Sequence, residues 1–157
     1  MSVPISIRPA GLADLDAVAA LFDAYRQFYA QAPDRARAAA FIQARMQADE
    51  SVILLAERVP PAGLAEPVGF CQLYPSFCSV EAAPIFVLYD LFVAPEARCS
   101  GLGAALLRAA ETRARQSGRV RMDLTTAHDN HTAQRLYESL GWVHDTVFRT
   151  YTRRVAG

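Results

Sequence analysis

The sequence has 157 residues, a formal net charge of zero and sixteen basic side chains, all of them arginine. Without a lysine it builds no phosphate-binding P-loop, no Schiff base and no other lysine nucleophile. The neutral balance argues against a nucleic-acid surface, and Cys71, Cys78 and Cys99, an odd number with no C-x-x-C pair, suggest neither a disulfide framework nor a thiolate zinc site.

Residues 5–8 alternate apolar and polar and read as a first strand ending at Pro9. Asp14 then opens a helix whose stripe is Leu15, Val18, Leu21, Phe22, Tyr25, Phe28 and Tyr29, closed by Pro33. A second, shorter helix is expected over residues 34–49, with Phe41, Ile42 and Met46 on one side. Residues 51–58 and 68–74 predict an antiparallel pair of strands, joined through Pro60, Pro61 and Gly63. After a loop over residues 75–84, the run IFVLYDLFV at 85–93 predicts a central strand buried on both faces, and Asp90 is its only charge. A helix at 102–116 stopping at Gly118, a strand at 120–126, a helix at 132–140 stopping at Gly141 and an alternating last strand at 143–151 complete the order. That order is β-α-α-β-β-β-α-β-α-β, a mixed α/β fold in a single domain over residues 1–157, with one β-α-β crossover at its centre. No apolar run reaches membrane-span length and no basic-then-apolar leader opens the chain, so a cytoplasmic protein is expected.

Chemistry concentrates between the central strand and the third helix, in Pro95-Glu96-Ala97-Arg98-Cys99-Ser100-Gly101-Leu102-Gly103-Ala104. A glycine-containing turn into a helix gathers unpaired N–H groups and the positive end of the helix dipole around one point, where Arg98 can add a charged fork. Read alone, the segment is equally an anion site or a tight turn. A dinucleotide fingerprint fits less well, because Leu106 stands where its third glycine belongs.

Two blocks carry a resemblance. Residues 91–103, LFVAPEARCSGLG, resemble the acetyl-CoA motif R-x-x-G-x-G/A of the GNAT superfamily of N-acetyltransferases. Residues 129–142, DNHTAQRLYESLGW, are similar to that family's N-x-x-A-x-x-L-Y-x-x-x-G-F segment, with Trp142 in place of phenylalanine. The resemblance implies a GNAT-like, mostly antiparallel sheet and transfer of an acetyl group from acetyl-CoA to a primary amine in a ternary complex, with no metal. It implies that the turn of Arg98, Cys99, Ser100, Gly101, Leu102, Gly103 and Ala104 cradles the pyrophosphate of coenzyme A. Backbone groups of Phe92 and Val93 would bind the pantetheine arm where the fourth and fifth strands splay, and Val93 N–H would polarise the thioester carbonyl. Asn130 and Ala133 would contact the cofactor at the start of the last helix, and Tyr137 would protonate the departing thiolate.

The general base is open between Asp90, Tyr89, Asp123 and a water relay, since the glutamate often found earlier on this strand in the family is absent from residues 85–87. Asp90 is costly in an apolar strand unless paired or functional, and an arginine partner explains it as well as catalysis does. Alternation would point Tyr89 and Asp90 to opposite faces. For the acceptor, Tyr25 and Tyr29 on the first helix, Tyr74 and Phe77 within residues 71–79, and Tyr89 are the candidates. His128, Asp129 and His131 read as a polar loop and helix cap, not a metal site. The expected partner is a small-molecule amine of the amino acid or polyamine type, with a homodimer as in many relatives. A protein or histone-type acceptor and a non-catalytic coenzyme A-binding module are the alternatives.

Overall fold

The computed structural model describes residues 3–157, which divide into two compact units, one up to Thr125 and one from Thr126 to Gly157. In the first unit lie strands β1 (Ile5–Pro9), β2 (Val52–Arg58), β3 (Glu66–Cys78), β4 (Ala83–Val93) and β5 (Met122–Asp123), and helices α1 (Leu15–Phe28), α2 (Arg35–Gln47) and α3 (Leu102–Gln116). The second unit contains α4 (His131–Ser139). Strands run in the order β1-β2-β3-β4-β5, antiparallel throughout except for the parallel β4–β5 pair that the α3 crossover creates. This is the mixed α/β architecture expected from the sequence. No helix among the described residues is long and apolar enough to cross a membrane.

The carboxylates ahead of α1 and α2 play different parts. Asp34 caps α2 by accepting from Arg37 N–H at 2.9 Å, and Asp34 N–H itself donates to the buried Asp23 of α1 at 2.9 Å, which ties the two helices together. Asp14 precedes α1 but turns its side chain back. It accepts from Gly11 N–H and from both terminal nitrogens of Arg8, whose Nε and one terminal nitrogen also bond Glu57 of β2. One arginine thereby joins β1, β2 and the entry to α1.

The sheet is covered on both faces, as a doubly buried central strand requires. Phe70 of β3 meets the rings of Phe22 and Tyr25 of α1 edge-on, whereas its neighbour Gly69 faces Leu106 of α3. Val18, Leu21, Phe22, Ala38 and Ile42 close one side over Ile53, Leu55, Phe70 and Phe92, while Leu102, Leu106, Leu107, Ala110 and Ala114 form the buried stripe of α3.

Three elements differ from their sequence-based expectation. The loop expected at residues 75–84 is instead the continuation of β3 into a long hairpin, closed by a short turn in which Ala82 N–H bonds the Ser79 carbonyl. Pro75 is tolerated there because it faces Phe86, whose own N–H is turned the other way onto the Arg121 carbonyl, so the pair makes no demand on a proline N–H. The strand expected at 120–126 shrinks to Met122–Asp123. The closing strand expected at 143–151 is not formed: Asp145 accepts from the N–H groups of Val147 and Phe148, a local turn that interrupts the alternating run, and Val143, Val147, Phe148 and Tyr151 are exposed.

Candidate active site

The centre of the site is an irregularity in β4. Register across β3 and β4 runs Gln72 opposite Asp90 and then Leu73 opposite Leu88, so Tyr89 is an extra residue without a partner, a β-bulge. Burial still alternates across the bulge, with Tyr89 63% exposed and its neighbour Asp90 buried. The Tyr89 ring lies 5.4 Å from that of Tyr74, and the Asp90 charge acts on the same Tyr74 phenol. Tyr25 reaches in from α1, its hydroxyl donating to the Tyr89 carbonyl at 3.3 Å and bonding the Asp90 carboxylate, and Tyr29 packs on Tyr25 at 5.1 Å. Tyr25 and Tyr74 thus interact with the one carboxylate of the central strand, while Tyr29 packs on Tyr25 and Tyr89 on Tyr74 farther toward solvent.

Asp90 is 4% exposed. Burial pushes its carboxyl above the ordinary carboxylate range, and hydrogen bonds from Gln72 and Tyr25 pull part of the way back. Its partner is the amide of Gln72, Nε2 to Oδ2 at 2.6 Å, and not an arginine. A buried carboxylate held by neutral donors, with its proton affinity raised, has the chemistry of a proton acceptor. The Tyr74 phenol is shifted up by burial and by Asp90, so it stays protonated. Burial pushes the Cys71 thiol up to about 12, which makes it inert.

Beyond the bulge, β4 has an open edge. Its pairing with β5 is confined to Phe86 and Val87, leaving Leu88 to Val93 without a strand partner on that side among the described residues. Ala94 N–H bonds the Val68 carbonyl of β3, so by alternation the N–H groups of Val93 and Leu91 point to the open edge. Phe92 turns its backbone to β3, its carbonyl oxygen facing Gly69, so Leu91 rather than Phe92 accompanies Val93 at that edge.

The open edge leads into the turn. Cys99 and Gly101 both have positive φ, 59° and 77°, and Ser100 Oγ donates to the Ala97 carbonyl at 2.6 Å, which locks the approach to α3. Leu102, Gly103 and Ala104 form the first turn of α3, where N–H groups have no helical acceptor. A side chain built at Gly101 meets no atom within 4 Å, so space is open beside these donors. Such a cradle suits an anion. Arg98 stands at its rim but is engaged elsewhere: Nε donates to the Val93 carbonyl at 3.0 Å, and the guanidinium lies over the rings of Phe28 and Phe92.

In the second unit, Asn130 caps α4, its Oδ1 accepting from Ala133 N–H at 3.3 Å, and the Tyr137 ring packs 6.1 Å from Trp142. Gln134 ties the preceding loop by donating to the carbonyls of Ala127 and His128. No group of three or more His, Cys, Asp or Glu side chains able to hold a metal occurs among the described residues.

Sequence reasoning reached the tyrosines, Asp90 and the turn, but not Gln72. The available signal was a glutamine within the otherwise apolar FCQL run, on the strand set to pair with the one bearing Asp90.

Comparison with known proteins agrees with this architecture. Residues 16–142 match the model of the acetyltransferase (GNAT) family. A Bacillus subtilis (strain 168) protein named uncharacterized N-acetyltransferase YhfO is 46% identical over 151 residues, 96% of this chain and 98% of its own length. The crystal structure of a probable acetyltransferase superposes with a TM-score of 0.87 at 38% identity, covering 97% of this chain and 99% of that one. At 19% identity, the aminoglycoside N-acetyltransferase AAC(6')-Iy, solved in complex with CoA, shares the fold with a TM-score of 0.78 over 98% of this chain and 97% of its own. With the crossover, the bulged central strand and the helix-capping turn in place, the chain belongs to the GNAT family of acetyltransferases.

Proposed function

We propose that the chain transfers the acetyl group of acetyl-CoA directly to the primary amine of a small molecule. The observation that carries this reading is the adjacency of three features along β4 and its exit: buried Asp90 beside a bulge with Tyr25 and Tyr74 against it, an open backbone edge at Leu91 and Val93, and a turn that frees the first N–H groups of α3.

The residues fit coenzyme A. The N–H groups of Leu102, Gly103 and Ala104, beside the open space at Gly101, would hold the pyrophosphate. The edge of β4 would bind the pantetheine amides as an added strand. Acetyl-CoA supplies the activated thioester when bound. Val93 N–H, directed to the open edge, is the donor for the carbonyl oxygen that gains negative charge. Asp90 takes the proton of the acceptor ammonium: an N–H bond breaks, an O–H bond forms on the carboxylate, and the amine keeps the lone pair that attacks. Tyr137, by the family resemblance of its segment, would give its hydroxyl proton to the sulfur as the C–S bond breaks, and its phenolate would regain, through solvent, the second proton that the nitrogen loses once the C–N bond has formed.

The tyrosines set the acceptor class. Tyr25 and Tyr74 lie against a single buried carboxylate and Tyr29 and Tyr89 pack on them toward solvent, an environment that attracts an alkylammonium by cation–π and charge attraction. An amino acid or polyamine type of amine fits this description. The test is release of free thiol from acetyl-CoA by the purified chain across a panel of amino acids, polyamines and other primary amines. Amine-dependent release with equimolar acetylated amine supports the proposal, and release at the same rate with and without every amine refutes it.

A further inference from the structure

One buried polar group beside this site has no part in the chemistry above. Gln72 lies directly opposite Asp90 in the ladder and is 0% exposed, and its Nε2 donates to Asp90 Oδ2. Its other amide atom, Oε1, is buried with no hydrogen-bond partner. A buried carbonyl oxygen without a donor is rare. It means that the bond to Asp90 alone holds the amide in its present orientation. A half-turn about the terminal torsion, which is broad and two-fold, therefore breaks no other hydrogen bond and places an acceptor where a donor stood.

We propose that Gln72 is the positioning residue that serves Asp90 in both of its protonation states. Before proton transfer, Nε2–H donates to the carboxylate. After transfer, the amide turns over and Oε1 accepts the new Asp90 O–H, so the carboxyl group keeps one place through the cycle. The proton that forms this O–H comes from the acceptor ammonium, and nothing is oxidised or reduced. The proposal rests on Asp90 being the base. The groups that act on Asp90 from the surrounding elements are neutral: Tyr25 of α1 donates to it, while Cys71 and Tyr74 of β3 and Tyr89 of β4 feel its charge or adjoin it. Arg45 of α2 acts on Tyr74. Gln72 is thus the principal donor that offsets burial at Asp90.

Two variants test the role. Gln72→Met keeps shape but removes both amide groups, and Gln72→Glu replaces the donor with a second carboxyl that competes for the same proton. The bond to the charged carboxylate is about twice as strong as the one accepted from the neutral acid, so losing both should move the pH at which kcat/KM rises up by about one unit in Gln72→Met, equivalent to a tenfold loss on the acid side, and further in Gln72→Glu, with KM for acetyl-CoA unchanged. A merely structural glutamine would lower activity at every pH and leave the midpoint in place. The independent readout is infrared difference titration of the protonated carboxyl band that Asp90→Asn removes. A midpoint about one unit higher in Gln72→Met than in the natural protein supports the proposal, and equal midpoints overturn it. If the infrared midpoint moves but Asp90→Asn retains full activity, the Gln72–Asp90 coupling stands and the assignment of Asp90 as base falls.

Discussion

Gly69→Ala probes the point where fold and site share a backbone. Gly69 pairs with Val93, and an added Cβ would lie 2.9 Å from the Phe92 carbonyl oxygen, 3.4 Å from Leu106 Cδ1 and 3.5 Å from Val93 Cα. The first contact is to backbone in the middle of a buried ladder, so the end of β4 must shift by roughly half an ångström to restore ordinary contact. Overpacking of this kind costs about 1–3 kcal/mol, and loss of glycine freedom in the unfolded chain returns about 0.4–1 kcal/mol. A net loss of about 1–2 kcal/mol follows, or a Tm lower by about 2–8 °C for a chain of this size. Urea unfolding monitored by circular dichroism measures it. Because the displaced residues are Phe92 and Val93, coenzyme A affinity should weaken in the same variant. A Gly69→Ala protein as stable as the natural one would refute the close packing of β3 on β4.

Other predictions follow from the charges and the turn. Arg8→Leu should cost about 1–2 kcal/mol near neutral pH, a modest figure because the guanidinium is partly exposed although it serves both Asp14 and Glu57. The Arg8 hydrogen bonds hold the Asp14 carboxyl below its ordinary value, so this stabilisation is present above about pH 4 and is lost as pH falls further. Acid titration of stability should show the two proteins converging there. Asp90→Asn has the opposite sign: burial raises the folded-state value, so the penalty of the charged form is absent below about pH 4 and complete above the raised value. Thermal unfolding should shift in favour of Asp90→Asn as pH rises from 4 to 8, and a pH-independent difference would contradict the burial argument. Gly101→Glu forces a side chain into positive φ and sets a carboxylate beside the first turn of α3, so calorimetry should show at least a tenfold loss in coenzyme A affinity.

The sequence carried the order of the elements and the two functional blocks because each depends on local pattern. The α1 stripe, the glycine stops after α3 and α4, and the turn from Arg98 to Ala104 are written in neighbouring residues. What it did not carry is set by pairing. The bulge at Tyr89 exists only through the register of β3 on β4. Pro75 reads as a strand breaker until its partner's N–H is seen to face the other way. The alternation at 143–151 resembles a strand, but Asp145 takes the N–H groups of Val147 and Phe148. Gln72 stands out only as a glutamine in an apolar run, and it takes the ladder to set its amide against Asp90.

Acetyl transfer by this site depends most on Asp90 accepting the acceptor's proton. The direct measurement is kcat/KM for acetyl transfer to the best amine of the panel, from pH 5 to 9, for the natural protein and for Asp90→Asn. The account predicts a loss of about 10²- to 10⁴-fold at neutral pH. It also predicts a profile that recovers only as the free amine itself becomes abundant at high pH. Asp90→Asn with the natural rate and the natural acid limb would contradict it.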